Sequence, residues 1–320
     1  MSIFNFLLPD ENLLIGKVVN VADALHSTYG ICNSQCNHPW LGKCPGNIVG
    51  SCLKCSEEVH WQRSERRVSC RAGYNCQKMI YYYVCRYSWK YCSEIMYALE
   101  CVDLSKYGEY KVSSLGCGAT PDLMALEQLI RGDENKKIVS YVGMDINPLW
   151  QNVHSEIKNY CSQNNINCSL EIEDALDYVN FRKFGIFGFY PAPNMIFISY
   201  LLSSFPDSKR EEYAEKLLDL IINKILIHNK GKKYTLIVFN DIDKSSIRQF
   251  FNIFLKKLQQ NGYNVQCTKK HFKDRNQDYG DGSVQHESDN NKFNIPPDLR
   301  KSEYNLAIKC SSAQLIIEVI

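Results

Sequence analysis

The sequence predicts an α/β protein in which helices cover both faces of a mostly parallel sheet. From Tyr110 to the end of the 320-residue chain, strand-like segments alternate with helix-like segments, which is typical of parallel sheets. The segment MIFISYLLSS is almost entirely apolar, as expected for a parallel strand that is buried on both sides. In SKREEYAEKLLDLIINKIL the apolar residues recur every three or four positions, which indicates an amphipathic helix.

Seven strands are predicted in this region. In chain order they are KVSSLGCG, KIVSYVGMDIN, CSLEIEDA, MIFISYLLSS, YTLIVFND, NVQCTKKHF and LAIKCSSAQLIIEVI. The predicted helices are PDLMALEQLIRG, residues 149–160, SKREEYAEKLLDLIINKIL and SSIRQFFNIFLKKLQQNG. In the first helix we expect Thr120 to be the N-cap, Pro121 the first residue and Gly132 the stop. The polar stretch 273–303 is predicted to be a long loop.

Composition divides the chain into three parts. Residues 1–76 are rich in Cys, His, Gly and Pro and are predicted to form a cysteine-rich, zinc-binding module. Residues 77–104 contain no Gly or Pro, and their apolar and aromatic residues have helical spacing, which predicts a connecting helix. Residues 105–320 are predicted to form the α/β domain.

The overall composition excludes some classes of protein. Hydrophobic residues make up 45% of the chain and charged residues 22%, as in ordinary globular proteins. The net charge of +2 gives no strong field that would attract nucleic acid. No apolar run approaches the roughly 20 residues of a membrane span, so no membrane partner is expected. The first residues carry no basic segment of a signal peptide, which predicts a cytoplasmic location.

The cysteines are concentrated near the beginning of the chain. Ten of the 15 lie between Cys32 and Cys101, and an odd number without an export signal argues against a disulfide framework. Clustered thiols in a reducing compartment point to a metal instead. Of the later members, Cys85, Cys92 and Cys101 fall in the predicted helix and are expected in the core.

The metal ligands can be chosen in more than one way. SCLKCSEEVH contains a CxxC pair, and a Zn²⁺ ion takes four such thiolate and imidazole ligands in a closed structural site. The favoured set is Cys52, Cys55, His60 and Cys76. The alternates are Cys70, which competes with His60, and a second group formed by Cys32, Cys36, His38 and Cys44. Buried free thiols and an iron–sulfur cluster remain open alternatives.

A pair of glycines, Gly116 and Gly118, follows the first predicted strand in SLGCGATPD. Without side chains they allow a ligand to approach the backbone near the N-terminus of a helix. A tight strand-to-helix turn would need the same residues, so the pair alone leaves both interpretations open. The third glycine of a dinucleotide fingerprint is replaced by Pro121, which argues against NAD or FAD, and the chain has no P-loop.

Two acidic residues follow the next two strands. Asp145 ends the second strand in GMDIN, where a carboxylate can accept hydrogen bonds from ribose hydroxyls. Asp174 follows the third strand near the same edge of the sheet. The alternative for each is a purely structural role, which for Asp145 is capping of the helix that begins near Pro148.

Together, LGCGATPDLMALE, VGMDINPLW, MIFISYLLSSF and LIVFNDID resemble the class I S-adenosylmethionine-dependent methyltransferases over about residues 105–320. The resemblance implies a Rossmann-like, seven-stranded, mostly parallel sheet and S-adenosylmethionine as cofactor. By the same resemblance, the glycine loop faces the methionine part, the acid after strand two binds the ribose, and the acid after strand three faces the adenine. The end of strand four then borders the transferred methyl group. The implied cofactor residues are Gly116, Cys117, Gly118, Asp145, Ile146, Asp174, Ala175 and Ser199.

The sequence departs from this family after strand four. No NPPY-like tetrad follows SYLLSSF, and NIPP at 294–297 lies in the predicted late loop, so methylation of a base amino group by that route is disfavoured. No side chain is assigned as a catalytic base. Tyr200 and Asp241 are candidates by position alone.

The region before the α/β domain suggests a nucleic-acid partner. Basic residues outnumber acidic ones between Lys54 and Lys90, and aromatic residues are interleaved, a pattern that suits RNA or another single strand. A solvated face is the alternative, and at helical spacing most aromatics of YYYVCRYSWKY are expected in the core. Three functions remain: a nucleic-acid methyltransferase with RNA favoured over DNA, an inactive methyltransferase-like cofactor-binding or scaffold protein in a larger complex, and a methyltransferase for a protein or small molecule.

Overall fold

The structure is a computed structural model. It describes residues 13–28, 52, 76–133, 135–181, 192–231, 234–272, 280–300 and 304–320. The strands within these ranges are β1 (Glu109–Leu115), β2 (Lys137–Asp145), β3 (Asn167–Ile172), β4 (Met195–Ser199), β5 (Thr235–Ile242), β6 (Val265–His271), β7 (Val284–Gln285) and β8 (Ser312–Val319). The helices are α1 (Leu14–Thr28), α2 (Gln77–Leu99), α3 (Pro121–Ile130), α4 (Gln151–Gln163), α5 (Ala175–Phe181), α6 (Arg210–Leu220), α7 (Ser245–Gln260) and α8 (Pro297–Arg300).

The described strands form one sheet in the order β3-β2-β1-β4-β5-β8-β6-β7. Strand β8 is antiparallel to both of its neighbours, β5 and β6, whereas all other pairs are parallel. The Rossmann-like α/β fold is thus confirmed. The predicted number of strands was wrong, because the eight described strands include β7, a two-residue strand within the stretch 273–303 that was expected to be a loop.

Side chains of the sheet point alternately into two apolar cores. On β4, Met195 and Phe197 lie in the core under α1, α2, α3 and α4, whereas Ile196 and Ile198 lie in the core under α5, α6 and α7. Burial on both faces explains why this strand reads as a continuous apolar run. We call these two sides the first face and the second face.

The predicted helix of residues 77–104 is α2, and it packs on the first face of the sheet. It contacts α1 and α3 as well as β5 and β8. Its Cys85 and Cys92 are buried, as expected, whereas Cys101 beyond its end is exposed. The helix therefore contributes directly to the core that supports the carboxyl ends of the strands. The proposed division of the chain into 1–76, 77–104 and 105–320 stays a prediction.

The start of α3 differs from the prediction. Pro121 is its first residue, but Thr120 has left-handed backbone angles (φ 58°, ψ 51°) and its side chain caps no backbone amide. The hydroxyl of Thr120 is buried without a hydrogen-bond partner. Thr120 is thus the N-cap by position, since its carbonyl accepts from the Met124 amide at 3.2 Å, but it lacks the usual extended backbone and the capping bond of its side chain.

None of the helices within the described ranges is long and apolar enough to cross a membrane.

Candidate functional site

The glycine pair forms a turn at the carboxyl end of β1. Gly116 and Gly118 both have positive φ angles, 71° and 48°, which side chains disfavour. The amides of Gly116 and Cys117 both donate to the carbonyl of Met144 on β2, each at 2.9 Å. A Cβ atom on Gly116 would lie 3.0 Å from Cδ1 of Leu201. The backbone conformation of the turn and the contact with Leu201 therefore favour glycine whether or not a ligand binds here.

Asp145, the last residue of β2, ties this turn to the neighbouring strand. Its Oδ2 accepts a hydrogen bond from the amide of Gly118 at 3.0 Å, and its Oδ1 accepts one from the amide of Asn147 at 2.9 Å. Burial raises the pKa of the Asp145 carboxyl, and these two amide bonds act in the opposite direction. The cap of the helical turn at 148–150 is Asn147, not Asp145, because its Oδ1 accepts from the amide of Leu149. The Trp150 side chain also hydrogen-bonds this carboxylate, so of its roughly four acceptor positions about one is left for a ligand hydroxyl.

His154 on α4 forms a hydrogen bond with the backbone of the glycine turn. Its Nε2 lies 2.8 Å from the carbonyl oxygen of Gly118, which can only accept, so Nε2 donates the hydrogen bond. Burial lowers the pKa of His154 to about 4, and the ring is therefore neutral at neutral pH. His154 could not be recognised from the sequence, because a histidine on an amphipathic helix resembles many others.

Cys117 fills the space between the turn and β2. Its side chain is buried, and a Cβ atom on Gly143 would lie 2.9 Å from its sulfur. Gly143 is therefore required by the cysteine side chain next to it. The Cys117 side chain is thus used for packing, and its sulfur points into the protein.

Exposed apolar side chains lie beside Asp145 at the same edge. Ile146 is 68% exposed and Ile172, which pairs in register with Asp145, is 51% exposed. Large aliphatic residues with so much exposed surface at the ends of neighbouring strands suit an apolar ligand group. Asp174 lies at the start of α5, where its Oδ1 accepts from the amide of Leu176 at 2.8 Å, and its predicted contact with the adenine stays a prediction. Ala175 is the first residue of that helix and is buried.

The chain leaves β4 through an unusual conformation. Tyr200 has a φ of 55°, in the left-handed region that a bulky residue seldom adopts. Its amide donates to the carbonyl of Asn240 on β5 at 2.7 Å. The Oγ of Ser199, the preceding residue and a predicted cofactor contact, is buried and has no hydrogen-bond partner. Strained backbone and an unpaired buried hydroxyl at one strand end motivate a functional hypothesis for this position.

Glu94 on α2 anchors this strand end and was missed by the sequence analysis. Its carboxylate is fully buried. Oε2 accepts from the Tyr200 hydroxyl at 2.8 Å and from Asn240 Nδ2 at 3.1 Å, while Oε1 accepts from the Ser311 amide at 2.8 Å. Lys90 Nζ lies 3.7 Å from Oε1. A charged residue on the otherwise apolar face of the predicted helix was the only available signal.

Both catalytic candidates, Tyr200 and Asp241, take part in the buried contacts around the turn after β4, and a catalytic role for either stays a prediction. Burial and the nearby Glu94 carboxylate raise the pKa of Tyr200 well above its ordinary value. Asp241 is buried, and burial raises its pKa to about 6. The Asp241 carboxylate accepts from the amides of Ser203 at 3.2 Å and Ile242 at 2.7 Å, which holds the turn after β4 against β5. Both residues position the end of β4.

The predicted metal site falls mostly outside the described residues. Cys76 is buried just before α2, and Cys52 is half-buried against the core of the first face. The other proposed ligands are outside the described residues: Cys55, His60, Cys70, Cys32, Cys36, His38 and Cys44. Among the residues that the structure describes, no three His, Cys, Asp or Glu side chains are grouped to hold a metal ion. Zinc binding stays a prediction.

No protein-family model matches this sequence. A search of curated proteins gives no match either. Solved structures with a similar fold include a putative class I S-adenosylmethionine-dependent methyltransferase from Listeria monocytogenes, at 12% identity over 96% of this chain and 88% of that chain, with a TM-score of 0.43. The YcgJ protein from Bacillus subtilis has 12% identity over 71% and 97% of the two chains, and a TM-score of 0.38. Trm5b from Pyrococcus abyssi has 12% identity over 71% and 47%, and a TM-score of 0.35. Each is a likeness in fold alone.

Proposed function

We propose that this protein binds S-adenosylmethionine at the ends of β1, β2 and β3 and transfers its methyl group to an acceptor held at the end of β4. The sheet order β3-β2-β1-β4-β5 has its topological switch point between β1 and β4. Ligands of open α/β sheets bind beyond the carboxyl ends of the strands at such a point. The observation that carries the proposal is the Asp145 carboxylate bonded to the Gly118 amide at this position, with Ile146 exposed beside it.

The residues present fit the cofactor in two respects. Asp145 has acceptor capacity left for a ribose hydroxyl, and the exposed side chains of Ile146 and Ile172 offer apolar surface for an adenine ring. When bound, the cofactor would supply a methyl group already activated by its sulfonium. The contribution of this chain would be to orient the acceptor and exclude water, because proximity and orientation can provide much of the rate enhancement. Tyr200 and Asp241 would hold the end of β4 in place through their hydrogen bonds to Glu94 and to the Ser203 and Ile242 amides.

RNA is the acceptor that we favour. The support is the mixture of basic and aromatic residues between Lys54 and Lys90, most of which lies outside the described residues. Of its members within those ranges, Arg86 donates to the carbonyl of Tyr304 and Lys90 donates to Ser311 Oγ, so both are anchored inside the protein.

Calorimetric titration of the full chain with S-adenosylmethionine tests the proposal. We expect saturable binding in the unaltered protein and at least tenfold weaker binding after Asp145→Ala, since the ribose acceptor is lost. The matched control is Asp133→Ala. Asp133 accepts the amide of Asn135 at 3.0 Å in a similar turn, but it lies before β2, at the opposite end of the strand. The control should bind the cofactor normally. Absence of binding to folded protein would reject the proposal.

An inactive, methyltransferase-like scaffold is the second candidate, and one observation favours it. The side chain of Leu201 packs directly over Gly116, and the amides of Gly116, Cys117 and Gly118 are all bonded within the protein. If Leu201 obstructs the cofactor site, Leu201→Ala should convert a protein that does not bind S-adenosylmethionine into one that does. Equal binding by the unaltered protein and this variant would exclude the obstruction.

A further inference from the structure

Three tyrosines of α2 form one row across the carboxyl edge of the sheet. Tyr83, Tyr87 and Tyr91 are four residues apart, so they project from the same side of the helix. The ring centre of Tyr83 is 6.0 Å from that of Trp150, whose ring packs against Gly118 at the cofactor end of the edge. The ring centre of Tyr91 is 4.4 Å from that of Tyr200, at the end of β4. The row thus spans the two halves of the candidate site.

These rings differ in exposure from their neighbours in sequence. Tyr81 and Tyr82 are fully buried in the core of the first face, as the sequence analysis expected for the aromatics of this segment. Tyr83, Tyr87, Tyr91 and Tyr200 are only half-buried. We call these four residues the tyrosine array. Aromatic surface left partly open at the ligand-binding edge of an α/β sheet is suited to contact a ligand.

The array has the chemistry of a stacking surface. The rings of Tyr87 and Tyr91 are nearly parallel, at 9° with centres 5.4 Å apart. The Arg86 guanidinium lies 5.2 Å from the Tyr87 ring centre, and Lys90 Nζ lies 5.5 Å from that of Tyr91 and 5.9 Å from that of Tyr200. Both cations are fixed by contacts inside the protein, Arg86 to the Tyr82 hydroxyl at 3.2 Å and Lys90 to Ser311 Oγ at 2.8 Å. Flat rings with fixed cations beside them bind nucleobases by stacking and cation–π contact.

Two further features at the Tyr200 end indicate a ligand. The backbone of Tyr200 is held in a left-handed conformation by the Glu94 and Asn240 bonds, so the ring has a defined place in the array. The neighbouring Ser199 hydroxyl is buried without a partner and offers one hydrogen-bonding group. A stacked base carries donors and acceptors on its edges and would supply what this hydroxyl lacks.

We propose that the tyrosine array holds an unpaired nucleobase of the methyl acceptor, stacked beside the end of β4. This inference rests on the proposed function, and it names the acceptor group as a base rather than a peptide side chain or a lipid. The base can belong to a single strand or to a free nucleotide, which share the same stacking chemistry.

Fluorescence anisotropy with the full chain tests this inference. The probe is a labelled single-stranded RNA of about ten nucleotides, within the site size of known single-strand binders. One arm uses oligo(A), one oligo(U), and a third adds unlabelled AMP as a competitor. We expect Tyr91→Leu and Tyr87→Leu to weaken RNA binding roughly tenfold or more, as for loss of a stacking partner. Tyr91→Phe keeps the ring and should bind like the unaltered protein.

The matched control is Tyr213→Leu. Tyr213 is a partly buried tyrosine of α6 with Lys209 Nζ 5.7 Å from its ring centre, but it lies on the second face of the sheet. This control should bind RNA normally. Competition by AMP that is also lost in Tyr91→Leu would identify a free nucleotide as a sufficient source of the base. Equal RNA binding by Tyr91→Leu, Tyr87→Leu and the unaltered protein, or no binding at all, would overturn the inference.

The two proposals fail separately. Binding of S-adenosylmethionine together with RNA binding that ignores the array variants would leave the methyltransferase proposal intact and remove the base platform. RNA binding that depends on the array, in a protein that does not bind S-adenosylmethionine, would remove the methyltransferase proposal and leave a base-binding surface.

Discussion

The two halves of the carboxyl edge are built in different ways. Around β1, β2 and β3 the contacts come from residues close in sequence, such as the Gly118 amide on the Asp145 carboxylate, 27 positions apart. Around β4, β5 and β8 the contacts join distant segments, such as the Ser311 amide on the Glu94 carboxylate, 217 positions apart. The first half leaves Ile146 exposed, whereas the second half is held together by a buried polar network. A local site can be recognised as a motif, but a site assembled over long range cannot.

The buried network extends further than Glu94. Gln314 Nε2 donates to Asn240 Oδ1 at 2.9 Å and to the carbonyl of Glu94 at 2.7 Å, and Ser312 Oγ donates to the same Asn240 oxygen at 2.6 Å. Each of these groups is buried and satisfied by another. Such networks fix one arrangement of the segments that meet in them, because any slip leaves a buried group unpaired.

The largest effect is expected from breaking the network at its centre. Glu94→Ala removes the acceptor for Tyr200, Asn240 and the Ser311 amide and leaves the half-buried Lys90 ammonium without its carboxylate. Removal of one partner from a buried ionic network costs about 3–5 kcal/mol. We therefore expect the free energy of unfolding, measured in urea, to fall by about that amount.

The matched control for this prediction is Glu100→Ala. Glu100 follows the same helix, is exposed, and forms a surface ion pair with Lys292 at 2.8 Å. Surface pairs contribute about 0–1 kcal/mol, so the control should unfold almost like the unaltered protein. An equal decrease in the free energy of unfolding in both variants would contradict the role of the buried network in stabilising the second half.

The first half has a buried carboxyl of its own, and its effect depends on pH. Asp122 on α3 accepts from the Tyr141 hydroxyl at 3.1 Å, and burial raises its pKa to about 6. The folded-state pKa lies above the unfolded value of about 3.8, so protonation of Asp122 favours the folded state. This contribution to stability is fully present below about pH 4 and is lost as pH rises through 6. Between about pH 4 and pH 6, the free energy of unfolding of the unaltered protein should fall by about 2–3 kcal/mol relative to that of Asp122→Asn. Unfolding curves that differ by the same amount at every pH would contradict this.

A smaller effect is expected at the glycine turn. Gly116→Ala places a side chain at a φ of 71°, which costs about 1–2 kcal/mol, and adds the contact with Leu201 at 3.0 Å. Gly132→Ala has a similar φ of 83° but no atom within 4 Å, so it carries only the conformational cost. Thermal unfolding should show Gly116→Ala as the more destabilised of the two. Adding Leu201→Ala to Gly116→Ala should remove the excess that comes from the contact.

The smallest effect is expected on cofactor affinity when the support behind the turn is removed. His154→Leu loses the hydrogen bond to the Gly118 carbonyl, so we expect about tenfold weaker binding of S-adenosylmethionine, or about 1.4 kcal/mol. The control His228→Leu changes an exposed histidine away from the turn and should bind normally. Unchanged affinity in His154→Leu would show that the turn keeps its shape without this contact.

The sequence predicted the parts of the fold that depend on local patterns. The apolar run of β4 and the helical period of α6 were sufficient to place both elements, because periodicity reports burial directly. The two-residue strand β7 was missed, since its exposed residues Val284 and Gln285 pair with β6 without any pattern of their own. Thr120 occupies the predicted N-cap position, but its left-handed backbone was not foreseen, and its hydroxyl makes no capping hydrogen bond.

The sequence by itself determined the α/β alternation, the glycine turn and the acid at the end of β2, because each depends on neighbours along the chain. Only the tertiary structure decided that α2 lies across the carboxyl edge, that Glu94 holds Tyr200, and that the rings of Tyr83 and Tyr91 stay half-open there. The physical reason is that burial and hydrogen bonding between distant segments follow from how the helix packs on the sheet. The spacing of residues within the helix gives its faces, but it does not say which face will meet the site.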